Sequence, residues 1–324
     1  MLNWTPCCTM SCALEAVNET TWTCSDGMKI AGKRWTTKNG HGKKVRILAL
    51  HGWMDNCATF DALSNGLMNK LATGNFVTDI DFVAIDLPGH GYSSHKSLDG
   101  PTSVQAEYCY YVFEIVRQLQ WKPEDLTLIG HSMGGSISLM YAAAFPVQRL
   151  CMLDTLGPMP KPPETISKNL RSNIKIRAQG KMPCSIYPNF QTAVETRCKT
   201  PGLLFPGKQY ISEATAKALV ERGSMIREDG RLQFRHDQRL NWPSMLYLSV
   251  NQLDQMYKDV VNQKTSTCVL TAIDGMPFPP ESISRLNALL KPEVCRSLPG
   301  SHHFHSDPGD AEGVVDAIAS WLKL

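Results

Sequence analysis

The sequence predicts an α/β fold, with a mostly parallel central sheet flanked by helices on both faces. Three observations carry this. Apolar runs at 45–50, 81–86, 126–130 and 149–153 alternate with stretches of helical spacing, the pattern of parallel strands joined by crossover helices. The runs are continuously apolar, as strands buried on both faces must be. A Gly-x-Ser-x-Gly run, Gly130-His131-Ser132-Met133-Gly134, lies between one of these strands and a segment rich in small residues.

The elements follow in order. Residues 14–24 and 28–37, rich in Thr, Val and Trp and split by Ser25-Asp26-Gly27, read as a β-hairpin. Strand 45–50 ends at His51-Gly52. Helical spacing at 58–72 runs through Phe60, Leu63, Leu67, Met68 and Leu71. Strand 81–86 stops at Leu87-Pro88-Gly89-His90-Gly91, where His90 is expected to shape a turn. A helix over 102–120 turns Tyr108, Tyr111, Val112, Ile115 and Leu119 inward. Strand 126–130, helix 133–145 and strand 149–153 follow. Clustered prolines (Pro158, Pro160, Pro162, Pro163) then break the pattern, and no buried strand is evident up to 245. Residues 155–245 read as an inserted, mostly helical cap on a core formed by 1–154 and 246–324. Strands return at 267–273 and 293–298 around a helix near 280–290, and an amphipathic helix over about 310–323 closes the chain.

Composition excludes several functions. With 43% hydrophobic and 19% charged residues, 324 residues can build a large core, which excludes a disordered chain. A formal charge of +3 leaves no electrostatic footprint for nucleic acid. No apolar run reaches the ~18 residues of a membrane span. Eleven scattered cysteines suit reduced, buried thiols. Together with an N-terminus lacking a signal-peptide pattern, they point to a cytoplasmic protein. The ending Leu322-Lys323-Leu324 makes a peroxisomal address the alternative, and Cys7-Cys8 is a candidate lipid site.

The chemistry centres on Ser132. A serine on a tight strand-to-helix turn is pushed clear of the sheet beside a helix N-terminus, which favours negative charge. Acyl transfer needs two donors for the oxyanion. The backbone N–H of Met133, just after the serine, and that of Trp53, in the loop after strand 45–50, are expected to supply them. His51 is expected to order that loop. A serine also needs a base. His302 follows the last strand and comes after the serine in chain order; His303 and His305 compete on spacing. Three histidines in one tight loop rarely face one point, so no metal is expected. Two carboxylates compete to orient the base: Asp154, ending strand 149–153, and Asp274, ending strand 267–273. Trp53, Met133, Phe60 and Tyr92 are candidates to line an apolar acyl site.

Leu50-His-Gly-Trp-Met-Asp-Asn56, Asp86-Leu-Pro-Gly-His-Gly-Tyr-Ser-Ser94, Gly130-His-Ser-Met-Gly-Gly135 and Pro299-Gly-Ser-His302 together resemble the α/β-hydrolase superfamily. Leu153-Asp-Thr155, Arg222-Gly223 and Asp237-Gln-Arg-Leu240 make the chain most similar to its serine hydrolase-like, Kraken-type branch, over roughly residues 28–323. The resemblance implies a Ser-His-acid hydrolase with no cofactor, acting on a small acyl substrate, and it implies Ser132 and His302 position by position. It also implies an acid three residues after a glycine at the end of the next-to-last strand, but counted from Gly275 that position is Phe278. Other superfamily members place the acid where Asp154 falls, so Asp154 is expected, with Asp274 as the alternative. Haloalkane dehalogenases and epoxide hydrolases use an Asp nucleophile, and Ser132 argues against both. The rival function is a ligand-binding protein that keeps the pocket without turnover.

Overall fold

The computed structural model describes residues 14–37, 44–73, 78–98, 104–180, 184–204 and 209–324. The Cys7-Cys8 pair lies outside them. Strands β1 (Leu14–Thr23) and β2 (Lys29–Thr37) form the expected hairpin. Then come β3 (Lys44–Leu50), α1 (Asp61–Thr73), β4 (Asp79–Ile85), α2 (Tyr108–Gln118), β5 (Leu126–His131), α3 (Met133–Ala144) and β6 (Arg149–Leu153). The segment after β6 holds α4 (Ile166–Ala178), β7 (Ile186–Tyr187), α5 (Phe190–Leu204), α6 (Glu213–Gly223), β8 (Ser224–Ile226) and β9 (Leu232–Phe234). The chain returns through α7 (Val250–Asn262), β10 (Ser266–Asp274), α8 (Pro280–Leu289), β11 (Val294–Ser301) and α9 (Ala311–Leu322).

The main sheet has eight strands in the order β1-β2-β4-β3-β5-β6-β10-β11. From β4 to β11 it is parallel; β1 and β2 add antiparallel at one edge. Side chains alternate between the two faces of β3. Leu48 and Leu50 join a core with Tyr111 and Val112 of α2 and Ile137 and Leu139 of α3. Val45, Ile47 and Ala49 join a second core with Leu63 and Leu67 of α1 and Val314 and Ile318 of α9. Helices covering both faces are why the strands read as unbroken apolar runs.

The inserted segment is mostly helical, and it also contains a small three-stranded antiparallel sheet, β7-β9-β8. Its strands are two or three residues long. That is too short for a period-two pattern to stand out from the surrounding polar sequence. Leu232 of β9 joins Ala193, Val194, Ala216 and Val220 of α5 and α6 in a small core separate from the two sheet cores.

β3 is the point where the strand order reverses. The chain passes from β3 to β4 on one side and then crosses to β5 on the other. The loops leaving β3 and β5 therefore open into the same crevice at the carboxyl edge of the sheet, where ligands of open α/β sheets bind. Close packing holds this crevice together. A Cβ on Gly134 would lie 2.0 Å from the Leu50 carbonyl oxygen. Gly134→Ala should therefore lower stability by at least ~1–3 kcal/mol, the usual cost of overpacking. Urea unfolding tests this; an unchanged midpoint would show that the strand-helix packing has slack.

Candidate active site

Ser132 stands between β5 and α3 with φ 52° and ψ −116°, a conformation that L-residues rarely adopt. The turn is held from both sides. The Ser132 N–H donates to the Leu153 carbonyl at 3.0 Å, and the Gly135 N–H returns to the Ser132 carbonyl at 3.1 Å. The Ser132 side chain is half-buried, and its hydroxyl has no protein hydrogen-bond partner among the described residues. Met133 opens α3, so its N–H has no partner within the helix. Trp53 lies in the turn that Asp55 N–H closes on the Gly52 carbonyl, with Met54 at φ 61°. Its indole N–H donates to the Leu240 carbonyl at 3.0 Å, tying this loop to the inserted segment.

The two candidate acids separate clearly. His302 Nδ1 lies 2.6 Å from Asp154 Oδ2. Asp154 is fully buried and follows β6 with φ 48°. Its carboxylate also accepts from the Ala272 N–H at 3.0 Å and the Met276 N–H at 2.9 Å. Gly275 permits this approach, because a Cβ there would lie 2.5 Å from Asp154 Oδ2. Asp274 instead stands in register with Ser301 on β11, one residue short of His302. Phe278 packs as an apolar side chain against the α2–α3–α7 core.

The three neighbouring histidines part company. His302 keeps 15% of its side chain exposed beside Asp154. His303 Nε2 donates to Asp55 Oδ2 at 3.1 Å, and His305 Nε2 meets Thr59 Oγ1 at 3.1 Å. Neither competitor reaches Asp154. His51 does order its loop: Nδ1 donates to the Gly52 carbonyl at 2.7 Å and Nε2 accepts the Leu87 N–H at 2.9 Å. His90 packs edge-on against His51 in the turn after β4, with Nδ1 donating to the Pro88 carbonyl at 3.1 Å.

A cavity of about 750 Å³ opens beside the turn. Trp53 and Met133 line it, with Met140, Met159, Ile166, Tyr247 and Leu248 among the apolar walls. Phe60 and Tyr92 do not. Phe60 is fully buried in the α1–α9 core. Tyr92 lies outside under two cations, with Arg222 4.5 Å and Arg235 5.0 Å from its ring centre.

A group missed in the sequence lies beneath the site. Asp55 is 1% exposed and is paired with Arg197 of α5 as well as His303. Burial opposes its charge, yet the charges of His303 and Arg197 and the hydrogen bond from His303 hold the carboxyl well below the usual range. Asp55, His131 and His303 place three ligand-type atoms within 4.8 Å of one another. Arg197 already brings positive charge to that carboxylate, which disfavours a cation there. Asp86, after β4, is likewise fully buried and paired with Arg222 Nε of α6 at 2.9 Å. Asp55, Asp86 and Arg222 each lie inside a motif of the sequence, but nothing local pairs them with their partners, since Arg197 and Arg222 lie more than a hundred residues from the aspartates.

Burial lowers the pKa of five histidines: His131 and His236 to about 4, His90 to about 3, with His51 and His305 shifting the same way. A folded-state pKa below the unfolded ~6.5 means that the unfolded chain binds more protons. Stability from these groups is thus complete above ~6.5 and is lost as pH falls towards 4. His131 alone should cost roughly 2 kcal/mol between pH 7.5 and pH 5. Urea unfolding at the two pH values checks this, and a flat profile would contradict it.

Residues 45–175 match the family model described as alpha/beta hydrolase fold. A serine hydrolase-like protein of Danio rerio is 32% identical over 316 residues, covering 91% of this chain and 85% of that protein. A probable serine hydrolase of Drosophila melanogaster is 28% identical, covering 91% and 84%. The crystal structure of a hypothetical protein from Pseudomonas aeruginosa superposes with a TM-score of 0.78 at 27% identity, over 95% of this chain and 99% of that one. A thioesterase domain from the curacin biosynthetic pathway superposes with a TM-score of 0.71 at 18% identity, over 96% and 100%, a likeness of fold alone. No described helix is long and apolar enough to cross a membrane.

Proposed function

This chain belongs to the α/β-hydrolase fold family, alongside the serine hydrolase-like proteins, and on that premise we propose that it cleaves carboxylic esters or thioesters through an acyl-enzyme. The observation that carries this reading is the 2.6 Å hydrogen bond between His302 and buried Asp154, at the sheet edge where Ser132 stands in its strained turn. Asp154 holds Nδ1 protonated and leaves Nε2 free to take a proton.

Ser132 Oγ attacks the substrate carbonyl carbon as its proton passes to His302 Nε2. The carbonyl π pair moves onto oxygen, where the N–H groups of Met133 and Trp53 receive the oxyanion; one such donor supplies ~3–4 kcal/mol. The tetrahedral intermediate collapses, the bond to the leaving oxygen or sulfur breaks, and His302 returns its proton to that group. Water then attacks the acyl-serine, giving its proton to His302, and a second collapse restores Ser132 and releases the acid. The apolar cavity suits an acyl chain. The non-catalytic alternative drew its weight from the missing acid at Phe278, and the Asp154–His302 pair supports turnover instead.

Labelling with a fluorophosphonate probe, together with hydrolysis of a short nitrophenyl ester, tests the reading. Ser132→Ala should abolish both. Asp154→Asn should lower kcat by roughly 10³–10⁴-fold, as expected when the imidazole loses its orienting carboxylate. Asp274→Asn should stay near wild type. Hydrolysis surviving in folded Ser132→Ala would refute the assignment.

A further inference from the structure

We propose that Asp55 is a positioning residue that ties helix α5 of the inserted segment to the loop carrying His302, through Arg197 on one side and His131 and His303 on the other. The inference rests on the hydrolase reading above. Three parts of the chain meet at this one carboxylate. Asp55 itself follows the Trp53 turn. Arg197 approaches Oδ1 from α5, and His303 donates to Oδ2 from the residue next to His302. His131, next to Ser132, lies with Nδ1 3.6 Å from the same Oδ2.

The link to His302 runs through His131. Its Nε2 lies 2.9 Å from the His302 backbone carbonyl, which can only accept, so Nε2 carries the proton. Burial keeps the ring neutral, and Nδ1 is then a bare acceptor with no hydrogen-bond partner among the described residues. A bare nitrogen facing a carboxylate is tolerable while that carboxylate is neutralised elsewhere. Arg197 does this, being charged at every working pH. If Arg197 is removed or α5 lifts, the uncompensated carboxylate favours the neutral His131 tautomer protonated at Nδ1, which takes the proton from Nε2 and with it the bond to the His302 carbonyl. The charged and titratable groups around Asp55 are Arg197, His131 and His303, with His51 and His305 in electrostatic range. The hydrogen bond that seats the His302 carbonyl therefore depends on the charge balance at Asp55, and α5 sets that balance. The inserted segment then both roofs the cavity and holds the base in register, so that lifting it weakens the base.

The test uses the full chain as wild type, Arg197→Gln, Arg197→Lys and His303→Gln. Its readouts are fluorophosphonate inactivation rates across pH 5–9 and kcat and KM for a short ester, with thermal melts to show folding. Arg197→Gln should label about 10–100-fold more slowly, the scale of a slight misplacement of a reacting group. Its pH–rate midpoint should move from that of wild type, and kcat should fall with KM little changed. Arg197→Lys should recover most of the rate. Arg197→Gln combined with His303→Gln should be no slower than the slower single variant, since both act through one carboxylate. A labelled wild type with folded Arg197→Gln matching it in rate and pH profile would overturn the inference and leave the hydrolase reading standing. A rise in KM alone would also overturn it, making Arg197 part of a substrate roof. A wild type that is not labelled would overturn the hydrolase reading and this inference with it. Should Arg197→Gln fail to fold, His303→Gln carries the comparison: slower labelling with a moved pH–rate midpoint is expected, and a folded His303→Gln matching wild type in both would overturn the inference.

Discussion

The backbone at Ser132 is the constraint around which the molecule is arranged. β5 is buried along its whole length and must enter α3 within one residue. That forces a left-handed conformation costing ~1–3 kcal/mol, which persists only where the surroundings over-determine it. They do so here. The Ser132 N–H is spent on Leu153 at the end of β6, and α3 packs so closely on the end of β3 that position 134 tolerates no side chain. The turn thereby fixes three strand ends against one another, and the Trp53 loop, the serine and Asp154 leave from those three ends.

Charge at the same edge follows one rule. Asp55, Asp86 and Asp154 lie beyond the ends of β3, β4 and β6, and each is nearly or fully buried. A buried carboxylate needs a partner, and removing that partner typically costs ~3–5 kcal/mol. Here every partner comes from later in the chain: Arg197 and His303 for Asp55, Arg222 for Asp86, His302 for Asp154. Two of the three pairs reach into the inserted segment. The buried ions thus act as directional contacts that an apolar interface would lack, and they hold α5 and α6 of the inserted segment against the loops after β3 and β4.

Much of this was legible along the chain because its causes are local. Continuous apolar runs mark strands covered on both faces, and Gly130-His131-Ser132-Met133-Gly134 marks a turn whose neighbours must be small. Helical spacing located α1, α2 and α9 within a few residues. Phe60 and Tyr92 show the limit: an aromatic near a motif reads alike whether it fills a core or stacks under arginine. The strands β7 to β9 escaped notice because two or three residues carry no period.

The sequence by itself determined the α/β class, the strained turn at Ser132 and the short set of histidines and aspartates able to serve it. Only the tertiary structure shows which of them meet. It placed His302 rather than His303 or His305 beside Asp154, left Asp274 one strand end away, and gave Asp55 a partner 142 residues distant. The reason is physical. A turn depends on the steric demands of adjacent residues, which spacing records. A hydrogen bond between side chains depends on which strand ends the sheet order makes neighbours, and no local pattern encodes that.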